Sequence, residues 1–346
     1  MWLTTSIDKA LKGNFIALGN FDGIHLGHQR VLQPILEKTS PIASDSPPLI
    51  SPVPKSEKQP LATVVTFNPH PREFFSGQKQ KLLTPLDEKV KLLKSLGVEQ
   101  LVLLPFDREL AALSPQEFVE KILSQQLQAQ RISVGEDFRF GSQRKGTAAD
   151  LRQIGNGFGI EVFIISEQTC LKDNSRDNSS EKQVRISSSL IRQALHEGNL
   201  DTAKRMLGRS YSLMGKVVTG KKLGRTLGFP TANLELPSAK FLPRYGVYSV
   251  TVELETEENQ TLVEGVMNLG TRPTVDGKNP TVEVHLLDWS GDLYDRIISI
   301  NLEKFLRSER KFSSLEELKT QITADCEASR EFFARAVPIN FTRTLE

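Results

Sequence analysis

Two histidines, His25 and His28, stand three residues apart in Gly-Asn-Phe-Asp-Gly-Ile-His-Leu-Gly-His, residues 19–28. Metal ligation, phosphate binding and plain turn-making are the candidate uses of such a set. Two imidazoles are an incomplete zinc site. The chain has five histidines, and its two cysteines, Cys170 and Cys326, lie far apart in the chain and offer no cysteine-rich metal site. A turn alone would account for Gly23 and Gly27 but would leave Asp22, His25 and His28 clustered without cause. Phosphate accounts for more. Gly23 can take positive φ and let backbone approach a ligand. A helix starting after it would aim free N–H groups and its positive end at an anion. Imidazoles in that first turn can donate to phosphate oxygens whose charge grows during transfer.

Far downstream, Arg-Ile-Ser-Ser-Ser-Leu-Ile-Arg (185–192) offers a second anion-binding pattern. Ser187 or Ser188 can cap a helix, and Arg192 follows about one turn in. An ordinary cap with a solvated arginine explains the same residues.

A third stretch, Thr-Gly-Lys-Lys-Leu-Gly-Arg-Thr-Leu-Gly-Phe-Pro-Thr-Ala-Asn-Leu (219–234), spaces Gly220, Gly224 and Gly228 by fours. It lacks the Gly-Lys-Ser/Thr ending of a P-loop. Lys222 and Arg225 can still meet phosphates. Thr231 and Asn233, two apart, share one side of an extended chain. Hydroxyl and amide oxygens are hard ligands suited to Mg²⁺ that keeps waters and phosphate. A glycine-rich turn leading into an edge strand is the bland alternative. Glu283 interrupts the apolar alternation of Thr-Val-Glu-Val-His-Leu-Leu, where a carboxylate could take a proton from a hydroxyl. A solvated strand face would also suit it.

The elements that must position these residues follow from periodicity. Asn14–Gly19, Leu61–Phe67, Glu99–Phe106, Arg131–Gly135 and Glu161–Ser166 read as apolar strands, with helical patterns between them. That alternation predicts a parallel sheet with helices on both faces, and ligands at the strands' carboxyl ends. Ser114, Pro115 and Glu117 form a capping-box start, and Ser314 with Glu317 another. Two helices should end near Gly198 and Gly208. Past Gly208, five or six strands of period two predict a small antiparallel β-barrel, closed off by a last helix. The expected domains are 1–207 and 208–346. A Pro/Ser-rich insertion at about 40–60 and a polar run near 172–183 cannot bury enough apolar surface to order themselves.

With 346 residues and a formal charge of +2, the chain has no bulk charge for nucleic-acid binding. No apolar run reaches the roughly 20 residues of a membrane helix. The first fifteen residues lack the apolar core of a secretory signal. A cytoplasmic protein with small-molecule substrates, as a monomer or a homo-oligomer, is expected.

Residues 19–28 with Ile-Ser-Ser-Ser-Leu-Ile-Arg resemble the nucleotidyltransferase superfamily. Phe-Asn-Pro-His-Pro (67–71), Val-Gly-Glu-Asp-Phe-Arg-Phe-Gly (134–141) and the barrel's motifs narrow the resemblance to the bacterial riboflavin kinase/FMN adenylyltransferases, or FAD synthetases. It runs over nearly the whole chain. It implies a Rossmann-like nucleotidyltransferase domain and a riboflavin kinase barrel, with ATP, riboflavin and FMN as substrates and Mg²⁺ as cofactor. His25 and His28 match the family's transition-state histidines. Gly19, Phe21, Asp22, Gly23, Ser188, Ser189 and Arg192 fall on its ATP-phosphate side. Phe67, Asn68 and Asp137 fall in its flavin-associated segments. In the barrel, Gly220, Lys222, Gly224, Thr231 and Asn233 match the Mg-ATP motif. Glu283 matches the catalytic base, and Arg307 a position on the flavin side. Aspartate replaces the family's usual glycine at Asp295. Two rival readings are a nucleotidyltransferase for another phosphorylated acceptor and a non-catalytic flavin-binding protein.

Overall fold

The computed structural model describes residues 1–37, 59–171, 183–220, 223–255, 260–274 and 277–335. The insertion expected at about 40–60 lies almost wholly outside them, as do most of the polar run near 172–183 and Lys222. By contacts the chain forms two compact units, Met1–Ser188 and Ser189–Glu346.

The first unit is built on six parallel strands, in the order Trp2–Thr4, Gln100–Pro105, Leu61–Asn68, Asn14–Leu18, Ala129–Gly135, Glu161–Ile165. All five expected strands are present. The short edge strand Trp2–Thr4 is an addition, too brief to show a period. Alternate residues feed two cores, one on each face. Ile16, Leu18, Val65 and Ile132 pack with Phe118, Val119, Leu123 and Leu151 on one side. Phe15, Ala17, Val64 and Leu101 pack with Val31, Leu32, Ile35 and Leu93 on the other. Both faces are thus covered by helices, which is why the strands read as continuous apolar runs.

The capping box at Ser114 is formed: Ser114 Oγ accepts the Glu117 amide N–H at 3.2 Å, and the Glu117 carboxylate accepts the Ser114 amide at 2.9 Å. These bonds and Lys121 hold the Glu117 carboxyl down at about 2. The helix that follows, Phe118–Gln126, runs with π rather than α pitch. Its apolar spacing does not distinguish the two.

In the second unit, six antiparallel strands close into a barrel: Tyr211–Val218, Ala232–Glu235, Gly277–Leu286, Gln260–Thr274, Gly246–Glu255, Ile297–Ser308, and back to the first. Closure removes the exposed edges that an open sheet would present. Inward positions such as Leu213, Val250, Val252, Met267, Val284 and Ile300 are wholly buried. The expected boundary at residue 208 follows the change in pattern. By contacts the units meet at Ser188, and helix Leu200–Leu207 lies on the barrel, where Lys204 reaches Glu303 at 3.0 Å. Gly208, at φ 74°, ends that helix in the left-handed region as expected.

Candidate functional site

The first-unit site grows out of the strand order. Asn14–Leu18 lies where successive strands begin to be added on its other side, the switch point at which open α/β sheets bind ligands. The chain leaves that strand through Gly19–His25 and enters helix Leu26–Leu36. Phe21 and Ile24 both adopt positive φ, 48° and 43°, although neither is glycine. Each is about 1% exposed, so side-chain burial holds the loop in a conformation that the backbone disfavours. The Gly23 N–H donates to Thr84 Oγ1 at 2.9 Å, and the Thr84 N–H donates to Asp22 Oδ1 at 3.1 Å. Asp22 therefore fastens the loop. Ser188 Oγ donates to the Asp22 carbonyl at 2.8 Å, so a residue 166 positions away joins the same turn.

His25 is the N-cap of helix Leu26–Leu36, and its Nδ1 accepts the His28 amide N–H at 3.2 Å. An accepting Nδ1 carries no proton, so the neutral ring holds its proton on Nε2, which is a donor. The His28 ring stacks on that of His25, with centroids 3.7 Å apart and planes at 13°. A Cβ on Gly27 would lie 3.2 Å from the His25 ring, so the glycine keeps room for the stack. The result is a pair of imidazoles at the positive end of a helix, a constellation suited to phosphate oxygens.

Other expected residues of this unit sit at neighbouring strand ends. Phe67 and Asn68 close strand Leu61–Asn68. Phe67 meets Phe106 edge-on at 5.7 Å, and Phe74 and Phe75 also touch Phe106. Sequence reading found only the first of these four rings. Asp137, past strand Ala129–Gly135, pairs with Arg185, which also pairs with Glu167. Ser189 and Arg192 follow Ser188 along helix Ser188–Glu197 and belong to the second unit. There the Arg192 guanidinium lies 5.8 Å from the Phe241 ring centroid.

The barrel site is a row across three strands. Asn233 pairs in register with Glu283, and Glu283 with Asn268. Facing residues share a side of the sheet. Val282 and Val284 are buried in the barrel, so Glu283 and its two partners line the outer face. Asn268 was missed by sequence reading, although it lies two residues before the glycine of Asn-Leu-Gly. His285, two residues beyond Glu283, places Nδ1 2.8 Å from the Pro230 carbonyl and its ring edge-on to Phe229. A carbonyl only accepts, so His285 donates and pins the turn before Thr231.

The glycine stretch closes over this row. A Cβ on Gly220 would overlap the Asn233 carboxamide, and one on Gly224 would overlap the Phe229 carbonyl and come within 3.2 Å of Thr231 Oγ1. The two glycines therefore permit the loop to approach Thr231 and Asn233 closely. Gly220→Ala is expected to displace Asn233 and lower the activity of this site by about 10²-fold, the scale of a 1 Å misplacement. Steady-state assay of each activity should find the first unit's chemistry unchanged.

Arg307 is engaged elsewhere in the unit. Its guanidinium grips Asp325 of helix Leu315–Arg335, with Nε–Oδ1 at 2.9 Å and an Nη–Oδ2 bond at 2.7 Å. Asp325 also accepts from Gln321 at 2.8 Å. This fork holds the last helix to strand Ile297–Ser308. Asp325→Ala should lower stability by about 2 kcal/mol, the scale of hydrogen bonds to charged groups, read as a drop in the denaturation midpoint.

Two family models match the chain in succession. The family model for FAD synthetase matches residues 7–181, and that for riboflavin kinase matches 207–333. The bifunctional riboflavin kinase/FMN adenylyltransferase of Escherichia coli K12 is 40% identical over 329 residues, 94% of this chain and 95% of that one. The Bacillus subtilis 168 protein of the same description is 34% identical over 324 residues, 92% of each chain. A solved structure described as a macrolide-efflux protein from Streptococcus pneumoniae is 30% identical, with a TM-score of 0.72 over 95% of this chain and 98% of its own. Among the described residues, no helix is long and apolar enough to cross a membrane. Likeness to these relatives over nearly the full length of both partners, with both family models in order, settles the lineage: the chain belongs to the bifunctional riboflavin kinase/FMN adenylyltransferase family.

Proposed function

We propose that the chain makes FMN from riboflavin on its barrel and FAD from FMN in its nucleotidyltransferase domain, each step consuming one ATP. The functional division proposed is 1–207 and 208–346. The observation that carries the reading is the presence in each unit of a glycine turn closing on groups whose chemistry suits phosphate. In one the turn ends in the stacked His25/His28 pair; in the other it covers Thr231 and Asn233 beside Glu283.

In the barrel, Glu283 takes the proton of the ribityl 5′-hydroxyl as that oxygen attacks the γ-phosphorus of ATP, whose bond to the β,γ-bridging oxygen breaks so that ADP leaves. Thr231 and Asn233 present hard oxygens, and the donor set beneath the glycines fits Mg²⁺. The ion, when bound there, neutralises charge on the phosphate oxygens. Asn233 and Glu283 are ladder neighbours, so the nucleotide-holding group and the base keep fixed separation. Arg307 is best placed to act on flavin binding indirectly, through the helix it secures.

In the first domain, the FMN phosphate attacks the α-phosphorus of a second ATP and pyrophosphate leaves. A phosphate monoester has a second pKa near about 6, so the nucleophile needs no base at neutral pH. His25 and His28 act as hydrogen-bond donors to the phosphates. Asp22, Gly23 and Ser188 shape their loop. Ser189 and Arg192, further along Ser188's helix, supply more phosphate contacts, while Phe67, Asn68 and Asp137 face the flavin.

Incubation with riboflavin, ATP and Mg²⁺, followed by chromatography, tests the reading. FMN should appear first, then FAD with one pyrophosphate per FAD. Riboflavin recovered unchanged would refute it. The cytoplasm, where riboflavin and ATP are both present, is the proposed compartment.

A further inference from the structure

Lys89 lies in helix Leu86–Ser95, and none of the motifs above includes it. Its residue is 8% exposed, yet it carries an ammonium group. The Nζ donates to the Asn20 carbonyl at 2.9 Å, and the same oxygen accepts from Thr66 Oγ1 at 3.3 Å. Asn20 is the second residue of the loop that ends in His25. An ammonium has three donors; among the described residues, Lys89 makes this one hydrogen bond. Burial pushes its pKa down, and the charge on Asp22 partly restores it. Both Lys89 and Asp22 also act on His70, which caps helix Pro71–Ser76, so all three groups lie within electrostatic range of one another.

A methionine would fill the same space without the cost of burying a charge. One carbonyl acceptor and the nearby Asp22 carboxylate offset that charge only in part. A nucleotide's phosphates, arriving at the helix start into which this loop leads, would be strong compensation. The ammonium is attached to a rigid helix, so its charge is already in place when the substrate arrives.

We propose that Lys89 is a positioning residue for adenylyl transfer, whose buried charge fixes the Asn20 carbonyl, and with it the loop to His25, and sets a positive potential behind the bound phosphates. This rests on the adenylyltransferase reading of the first domain. Lys89 acts through the loop.

The test uses the full chain and three variants. Lys89→Met keeps the length of the stem, Lys89→Arg keeps the charge, and Lys89→Ala leaves space for an added amine. FAD formation from FMN is measured beside riboflavin phosphorylation. Lys89→Met should lower kcat for FAD formation by about 10–100-fold, with KM for FMN within threefold and riboflavin phosphorylation within twofold of the parent. Lys89→Arg should recover most of the lost kcat. Ethylammonium should raise the activity of Lys89→Ala, whereas propanol should not. If Lys89→Met loses its cooperative melting transition, the Lys89→Ala pair of measurements decides.

Two outcomes overturn the proposal. One is Lys89→Met within twofold of the parent. The other is equal loss in the methionine and arginine variants without amine rescue, which would assign Lys89 to packing alone. Absence of FAD formation by the parent chain would instead sink the underlying reading of the domain.

Discussion

His28→Ala should cut FAD formation by roughly 10²–10³-fold while riboflavin phosphorylation continues at the parent rate. The size follows from losing one pre-placed donor to the charge that develops on the phosphates. The selectivity follows from local structure. The bond that caps helix Leu26–Leu36 runs from the His28 backbone N–H to His25 Nδ1, so the cap survives loss of the His28 ring. Loss of the ring leaves the Asp22–Thr84–Gly23 bonds intact as well. His25→Ala is the less clean experiment, because it removes a donor and an N-cap together, and the cap alone is worth about 1 kcal/mol. Chromatography of flavins after incubation with riboflavin reads both steps at once: His28→Ala should accumulate FMN. Equal loss of both products in a folded variant would contradict the two-site assignment.

Glu283→Gln should give the opposite pattern, with riboflavin phosphorylation down by about 10²–10⁴-fold and conversion of supplied FMN to FAD unaffected. Glutamine matches the shape of glutamate but cannot take the proton. The barrel should tolerate the change. Val282 and Val284 on either side remain buried, and the rungs to Asn233 and Asn268 are made by backbone. A variant retaining more than a tenth of the parent kcat would remove Glu283 from the role of base. The two substitutions, assayed together, form a crossed pair in which each leaves intact the step that the other abolishes.

Much of this arrangement was legible in the residues themselves. The apolar strand Asn14–Leu18, Gly23 and the His25/His28 spacing placed the first loop, because strand, turn and helix start each leave local marks. Period-two alternation gave the barrel, and Ser114 with Glu117 gave a helix start confirmed by its bonds. What was not legible depends on distant partners. Thr84 and Lys89 hold the first loop from more than sixty residues away, and nothing near them in sequence announces it. The same holds for Asp325, which occupies Arg307 from a helix on a separate element. Phe21 and Ile24 at positive φ run against residue preference, and only their burial in the folded unit explains them. At Ser314 the departure is smaller. Its hydroxyl accepts the Glu317 N–H at 3.1 Å, but the returning carboxylate bond goes to Ser313.

Asn233 and Glu283 occupy facing rungs of a closed ladder. A slip of one residue between those strands would turn one of the two side chains inward and bring a buried neighbour, Leu234 on one strand or Val282 or Val284 on the other, to the outside. No half-slipped state is available to them. Warming should therefore leave the kinase geometry whole until the barrel itself opens, so that this half of the enzyme fails abruptly, by unfolding, and does not fade through gradual misalignment.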